Sequence, residues 1–221
     1  MSNNSSKNLQ TYAYEHIKNK ILSDELLENE IYSETKISKE IGISRTPMRH
    51  ALLRLSQEGY IDILPSKGFR LHKFTYEEII EIFQIRSAIE GFCTVLLATN
   101  NKSNDGIKTI ETLKFILEQQ QNLILKNGSI AEFADYDTLF HSTIVRFANN
   151  SEFNNMFDCF MYRIKTLAID SLSYPNRMND TLNEHYDILN CIIEGNTENI
   201  YKVTLAHIDA PKHINLRFYC E

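Results

Sequence analysis

Four side chains in the C-terminal part of the chain have the types and spacing of metal ligands. In DTLFHS, Asp137 and His141 stand four residues apart, which on a helix puts them on one face, about 6 Å apart along the axis. His185 and His207 each lie 11 residues from Asn196, in a helix break marked by Gly195, Asn196 and Thr197. An antiparallel hairpin folded at that break brings the two imidazoles side by side. Joined across a helical bundle, the four residues make a three-histidine, one-carboxylate site for a divalent transition metal. Zn²⁺, Ni²⁺, Fe²⁺ and Mn²⁺ all accept such ligands, and ligand type does not choose between them. Positions left open on the ion could take a small carboxylate or hydroxycarboxylate. Taken singly, each histidine also reads as an ordinary satisfied core or surface residue. Arg86 and Arg163 are candidates to supply further charge to an anionic ligand; the other reading of Arg86 is a surface ion pair with Glu90 at i+4. His213 lies beyond Pro211 and off the face of His207, and the Tyr and Phe stripe in FNNMFDCFMYRIKTL reads as core or dimer contact.

A second chemistry is written in SRTPMRHALLRL, residues 44–55, which holds three arginines and no acid in a chain of net charge −6. The charge is unevenly divided: residues 1–75 carry 11 Lys+Arg against 9 Asp+Glu, whereas residues 76–221 carry 12 against 20. Acidity therefore belongs to the C-terminal part and leaves the N-terminal part able to meet nucleic acid. Arginine's planar fork can hold guanine O6 and N7 together, worth about 1–3 kcal/mol of discrimination. Thr46 and a helix N-terminus suit phosphate or a thymine methyl. A solvated arginine face is the plain alternative.

The elements that must position these residues can be read from periodicity and caps. Residues 9–22 form an amphipathic helix with Tyr14, Ile17, Ile21 and Leu22 on one stripe. Ser33 caps a short helix, ETKISKEI, ended by Gly42; Ser44 caps a third, with Pro47 in its first turn and Gly59 at its end. YIDIL and FRLHKF around PSKG read as a β-hairpin. Three helices and a hairpin make a winged helix-turn-helix, and they place Arg45, Thr46 and Arg49 on the part of the third helix that enters the major groove. Lys67 and Gly68 at the wing tip approach the DNA backbone or minor groove, while Ala51, Leu52 and Leu55 face inward.

Thr75 and Glu78 then form a capping box opening a helix over 76–98. Further helices are expected over 106–126, 130–149, 152–172, 181–194 and 198–210, with Asp180 as a cap and Pro211 as the final stop. The expected fold is mainly α: a winged helix-turn-helix over 1–74 and an antiparallel all-helical bundle of about six helices over 75–221. Cys93, Cys159, Cys191 and Cys220 sit singly among apolar neighbours and read as buried thiols of a reducing compartment. Without an apolar leader or a membrane-length apolar run, the chain is expected to be soluble and cytoplasmic.

Residues 9–73, above all GISRTPMRHALLRLSQEGYI with the later SKGF, resemble the winged helix of GntR-family bacterial transcription regulators. By that resemblance the DNA-contacting residues are Arg45, Thr46, Arg49 and Gly68, with lesser roles for Ser44 and Lys67. His50 replaces the family's usual Glu, and Thr35 stands where some subgroups carry a base-reading Arg. The following segment, 76–211, is similar to the FCD effector domain of the FadR-like subfamily. The shared residues are Arg86 and Glu90, then Asp137, Phe140 and His141, the run from His185 to Asn196, and His207. Cys191 and Asn196 depart from that pattern, replacing Ala and Asp. The resemblance implies a metal on Asp137, His141, His185 and His207. It also implies a homodimer that binds a palindromic double-stranded DNA operator and responds to a small anionic metabolite. The alternative from another class is a metal-dependent hydrolase, against which no general base stands at a fixed offset from the ligands.

Overall fold

The computed structural model describes residues 2–23 and 25–220, the side chains of 2–7 and 220 excepted. Those residues form two compact units, Met1–Lys73 and Phe74–Glu221.

The first unit contains α1 (Ser2–Leu22), α2 (Glu34–Glu40), α3 (Arg45–Gln57), β1 (Ile61–Leu64) and β2 (Gly68–Leu71). Ala13, Tyr14, Ile17 and Ile21 of α1 are buried together with Met48, Ala51, Leu52 and Leu55 of α3, so the two helices share one core. Leu22 departs from the expected stripe. It is 55 % exposed, because it falls one position round the helix from the buried face that Ile17 and Ile21 occupy. Ser33 accepts the Lys36 N–H as predicted, but Ser44, although it sits at the N-cap position of α3, makes no side-chain cap bond. Its hydroxyl is left to solvent on an exposed face. β1 and β2 pair antiparallel, Ile61 with Leu71 and Leu64 with Gly68, and Phe69 adds a bridge to Tyr32. At Gly68 (φ +128°) a Cβ would lie 2.0 Å from the Tyr32 carbonyl oxygen, so glycine is required there by backbone packing.

The second unit comprises α4 (Tyr76–Thr99), α5 (Asn104–Leu125), α6 (Ile130–Phe147), α7 (Ser151–Leu172), α8 (Arg177–Glu194) and α9 (Ile200–Cys220). The Thr75–Glu78 capping box is present, and a second, Ser129–Glu132, opens α6. Phe83, Leu97, Leu113, Leu117, Phe133, Phe140, Phe157, Ile188 and Ile208 lie in the shared core. Several boundaries differ from expectation, most by one or two residues, and three of the differences have a visible cause or consequence. α5 begins earlier because Ser103 accepts the Gly106 N–H. α8 begins at Arg177 rather than after an Asp180 cap, with Asn176 at the cap position in the left-handed region. α9 runs through Pro211 instead of stopping there. The proline removes an N–H that would have bonded the His207 carbonyl, yet the turn beyond it is anchored by Asn215, fully buried and donating to the Leu167 carbonyl at 3.1 Å. Among the thiols Cys93 is buried, but Cys159 is exposed on α7 and Cys191 half-buried; the Cys220 side chain lies outside the described residues. Helical phase explains Cys159, since the adjacent inward positions are taken by Phe157 and Ile164. No helix among the described residues is long and apolar enough to cross a membrane.

Replacing Gly68 with Ala should lower the melting temperature of the chain, because the added Cβ meets backbone rather than a yielding side chain. The cost should be about 1–3 kcal/mol, measured by thermal denaturation; an unchanged transition would contradict the close approach to Tyr32.

Candidate functional site

Two sets of residues stand out, one in each unit. In the first, the three arginines of α3 divide by helical phase. Arg54, although exposed, reaches over α1: its guanidinium lies 3.8 Å from the centre of the Tyr14 ring and bonds Glu58 at 2.9 Å, while Tyr14 donates to Glu58 at 2.6 Å. It is committed to holding α1 on α3. Arg45, Thr46 and Arg49, on the first turns, are all exposed, as is Ser44. A groove of about 470 Å³ between α2, α3 and the wing is lined by Thr35, Arg45, Arg49, Lys67 and Gly68. Four of the six predicted DNA-contacting residues thus meet in one groove, with Ser44 and Thr46 beside it on α3. Glu34 also enters the groove and holds Arg49 Nε at 3.4 Å.

In the second unit His141 of α6, His185 of α8 and His207 of α9 converge. His141 Nε2 is 3.4 Å from His185 Nε2 and 3.1 Å from His207 Nε2. All three imidazoles are buried, and Asp137 Oδ1 is 3.5 Å from His185 Nε2 and 3.9 Å from His141 Nε2. Phe140 stacks on His185 with centroids 4.1 Å apart and fixes the ring plane. The predicted antiparallel meeting of His185 with His207 and the shared face of Asp137 and His141 are both present in this geometry.

The other ring nitrogen of each histidine is also occupied. His141 Nδ1 donates to Glu90 Oε2 at 2.6 Å, His185 Nδ1 to Gln120 Oε1 at 3.0 Å, and His207 Nδ1 to Glu184 Oε2 at 2.7 Å. With the Nδ1 proton donated outward, an imidazole in its neutral form presents an Nε2 lone pair to the shared centre. Three lone pairs at these distances need a proton or a metal cation among them. Burial, with neighbouring positive groups, pushes the His185 pKa well below its ordinary value; burial also lowers His207, against the opposing pull of Glu184. Those shifts disfavour a proton on His185 or His207. Two nitrogens bound about 2.0–2.1 Å from one ion lie roughly 3.0–3.4 Å apart, so the donor set fits a divalent transition ion.

Next to the histidines is a cavity of about 10 Å³, lined by Arg86, Asp137, Arg177, Thr181 and His207 among others. Arg86 is buried and bonds Glu90 Oε1 through Nε at 2.7 Å, so its ion pair is internal rather than on the surface. Burial alone would raise the Glu90 pKa, but Arg86 and His141 outweigh it and hold the carboxyl well below the usual range. Arg177, also buried, grips Glu184 with both terminal nitrogens at 2.6 and 2.7 Å. That grip and the His207 bond overcome burial and bring Glu184 down to about 2. Arg163, by contrast, is not among the residues lining this cavity; its guanidinium lies 5.5 Å from the Phe160 ring.

Reading the sequence alone missed four members of this site. The sequence pairs Glu90 with Arg86, in the i+4 reading and in the FCD pattern, and gives no sign of its bond to His141. Glu184 is adjacent to His185 but serves His207, a pairing that needs the α8–α9 contact. Arg177 lies outside the helix expected over 181–194, although it begins α8. Gln120 carries no sequence signal toward His185, 65 residues away.

Comparison with known proteins agrees with this division. Residues 9–71 match the model for bacterial regulatory proteins of the gntR family, and residues 81–210 match the FCD domain. The probable D-xylose utilization operon transcriptional repressor of Paenarthrobacter nicotinovorans is 27% identical over 180 residues, 80% of this chain and 75% of the relative. The HTH-type transcriptional regulator YdhC of Bacillus subtilis is 24% identical over 196 residues, 89% and 86% of the two chains. The solved structure of E. coli McbR/YncC shares the fold, with a TM-score of 0.72 at 18% identity over 96% of this chain and 98% of that one. These matches are to DNA-binding transcriptional regulators and not to enzymes, which leaves the metal-dependent hydrolase without support. The chain belongs to the gntR family of bacterial regulatory proteins and carries an FCD domain after its winged helix-turn-helix.

Proposed function

We propose that this chain is a cytoplasmic, ligand-responsive transcription regulator that works as a homodimer. Residues 1–74 read a double-stranded operator with Arg45, Thr46 and Arg49 of α3, while Ser44, Lys67 and Gly68 contact its backbone. Residues 75–221 dimerise, hold a divalent transition metal on Asp137, His141, His185 and His207, and sense a small carboxylate-type metabolite there. Arg86 contributes positive charge to the effector site; Arg163, lying off the cavity, is the weaker of the two predicted anion contacts. A single recognition helix reads only a few base pairs, so two-fold pairing is what supplies operator-level affinity. The observation that carries the sensor half is the convergence of three Nε2 atoms whose partner nitrogens are all tied outward. The metal, when bound, supplies a positive centre with positions for an anionic ligand. An effector switches DNA binding only through a difference in its affinity for the two states of the protein.

The DNA half is tested with a fragment selected by the wild-type protein from a random library. Arg45→Ala and Arg49→Ala should each weaken binding about ten- to hundred-fold, following a loss of about 1–3 kcal/mol per bidentate contact. Affinities unchanged at two salt concentrations would remove α3 from the interface. For the metal, His141→Ala or His185→Ala should strip the bound ion, measured by elemental analysis, while circular dichroism stays helical; full occupancy in either variant contradicts the ligand assignment.

The lowered folded-state values of His185 and His207 give a third test. Unfolded imidazoles take up protons near pH 6.5, where these two remain neutral in the fold, so the unfolded state binds more protons as pH falls. Metal-stripped protein should therefore lose stability between pH 7.5 and 5, above the range in which the carboxylates titrate. A melting temperature flat across that window would contradict the buried neutral pair.

A further inference from the structure

The groove of the winged unit holds one residue of the wrong sign. Arg45, Arg49 and Lys67 give its lining positive charge, as a surface that meets phosphate requires; Glu34 is the one acid among the lining residues. Its backbone is pinned on both sides. Tyr32, two residues earlier, exchanges both backbone bonds with Phe69 of β2, at 2.7 and 3.0 Å, and Ser33 caps α2 through the Lys36 N–H. Glu34 Oε1 is shut off from solvent without a hydrogen-bond donor, and its ion-pair partner is Arg49 Nε at 3.4 Å.

Stability does not account for the pair. The Arg49 side chain is 74% exposed, and an ion pair so open to water contributes little to folding. A duplex changes its surroundings. Covering the groove excludes water, lowers the effective dielectric and strengthens the attraction between Glu34 and Arg49. A buried carboxylate oxygen without a donor is costly, so the covered state favours the Arg49 conformer that turns Nε to Glu34. With Nε engaged, the fork left for DNA is the pair of terminal nitrogens, whose N–H groups fit O6 and N7 of guanine end-on. The same carboxylate repels phosphate. Glu34 therefore weakens binding wherever Arg49 faces the DNA backbone and permits it where Arg49 faces a guanine edge.

Resting on the reading of α3 as the recognition helix, we propose that Glu34 is a positioning residue that sets operator specificity. It aims Arg49 at one guanine and lowers affinity for duplex that offers Arg49 only phosphate. Specificity here is a difference between two affinities, and an acid in a basic groove widens it by making the wrong complex worse. Arg45 lines the same groove without an ion-pair partner among the described residues, and so reads its base without this support.

The experiment measures binding of the full chain to the library-selected duplex, to versions with each base pair substituted singly, and to a scrambled duplex, at two salt concentrations. Arg49→Ala first locates the guanine that Arg49 reads, as the position whose preference it flattens. At that position Glu34→Gln should cut discrimination by at least about five-fold, the lower end of what a bidentate guanine contact supplies. Preferences at the position that Arg45→Ala flattens should stay as in the wild type. The scrambled duplex should be bound more tightly, with a log–log salt slope steeper by up to about 0.9, the mark of one added phosphate contact. In the Arg49→Ala background Glu34→Gln should change discrimination no further. Glu34→Ala repeats the test if the amide variant does not fold; Oε1 accepts no hydrogen bond, so neither substitution takes one from it. Retained discrimination at the Arg49 position, or an equal loss at every position, would overturn the role of Glu34 while leaving α3 as the reading helix. A scrambled duplex bound no more tightly would overturn the phosphate penalty. If neither Arg49→Ala nor Arg45→Ala flattens any position, the recognition-helix reading falls and the role of Glu34 falls with it.

Discussion

A neutral imidazole has one proton for two nitrogens, so whatever accepts the proton at Nδ1 decides what Nε2 can do. In the helical unit this constraint is met three times, by Glu90 from α4, Gln120 from α5 and Glu184 from α8, for histidines on α6, α8 and α9. The consequence is a focus of three lone pairs in a buried space. Without a cation that focus is repulsive, and five helices must be held against one another to maintain it. Phe140 stacked on His185 and the apolar core around Phe83 and Ile208 supply the burial that keeps these rings in place.

The same focus accounts for an interior unusually rich in charge. Buried ion pairs contribute little net stability, and apolar replacements of similar volume are often at least as stable. The Arg86–Glu90 and Arg177–Glu184 pairs are therefore poorly explained as packing. They make sense as the outer support of the histidines, with each guanidinium balancing a carboxylate that must stay ionised to accept from Nδ1. Removing one member leaves the other charge buried and uncompensated, so the network is stable only as a whole.

In the winged unit the governing constraint is helical phase on α3. Met48, Ala51, Leu52 and Leu55 bury one face, Arg54 reaches back over Tyr14, and Arg45 and Arg49 are left on the exposed N-terminal turns. The wing stays close to α2 because Gly68 allows the Tyr32 carbonyl to approach where any side chain would obstruct it. The glycine is thus explained by the fold, independently of any contact with a nucleic acid. Glu34, holding Arg49 within the groove, limits how freely that side chain moves.

Local sequence determined the elements and the residues of the histidine cluster. Apolar periodicity marked the helices, Ser33, Thr75 and Gly195 marked their ends, and the i+4 spacing of Asp137 and His141, with the symmetric placement of His185 and His207, marked the cluster. These features are legible because helix geometry converts short sequence separations into distances. Where local rules misled, tertiary contacts had won: Pro211 lies inside α9, whose far turn Asn215 anchors, and Cys159 falls on an exposed phase. Only the tertiary structure decided which groups stand behind the histidines. Gln120 reaches His185 across 65 residues and Glu184 reaches His207 across 23, and such pairings depend on which helices pack side by side and at what rotation. No periodicity within one helix encodes that rotation; it is set by the fit of whole faces in the core.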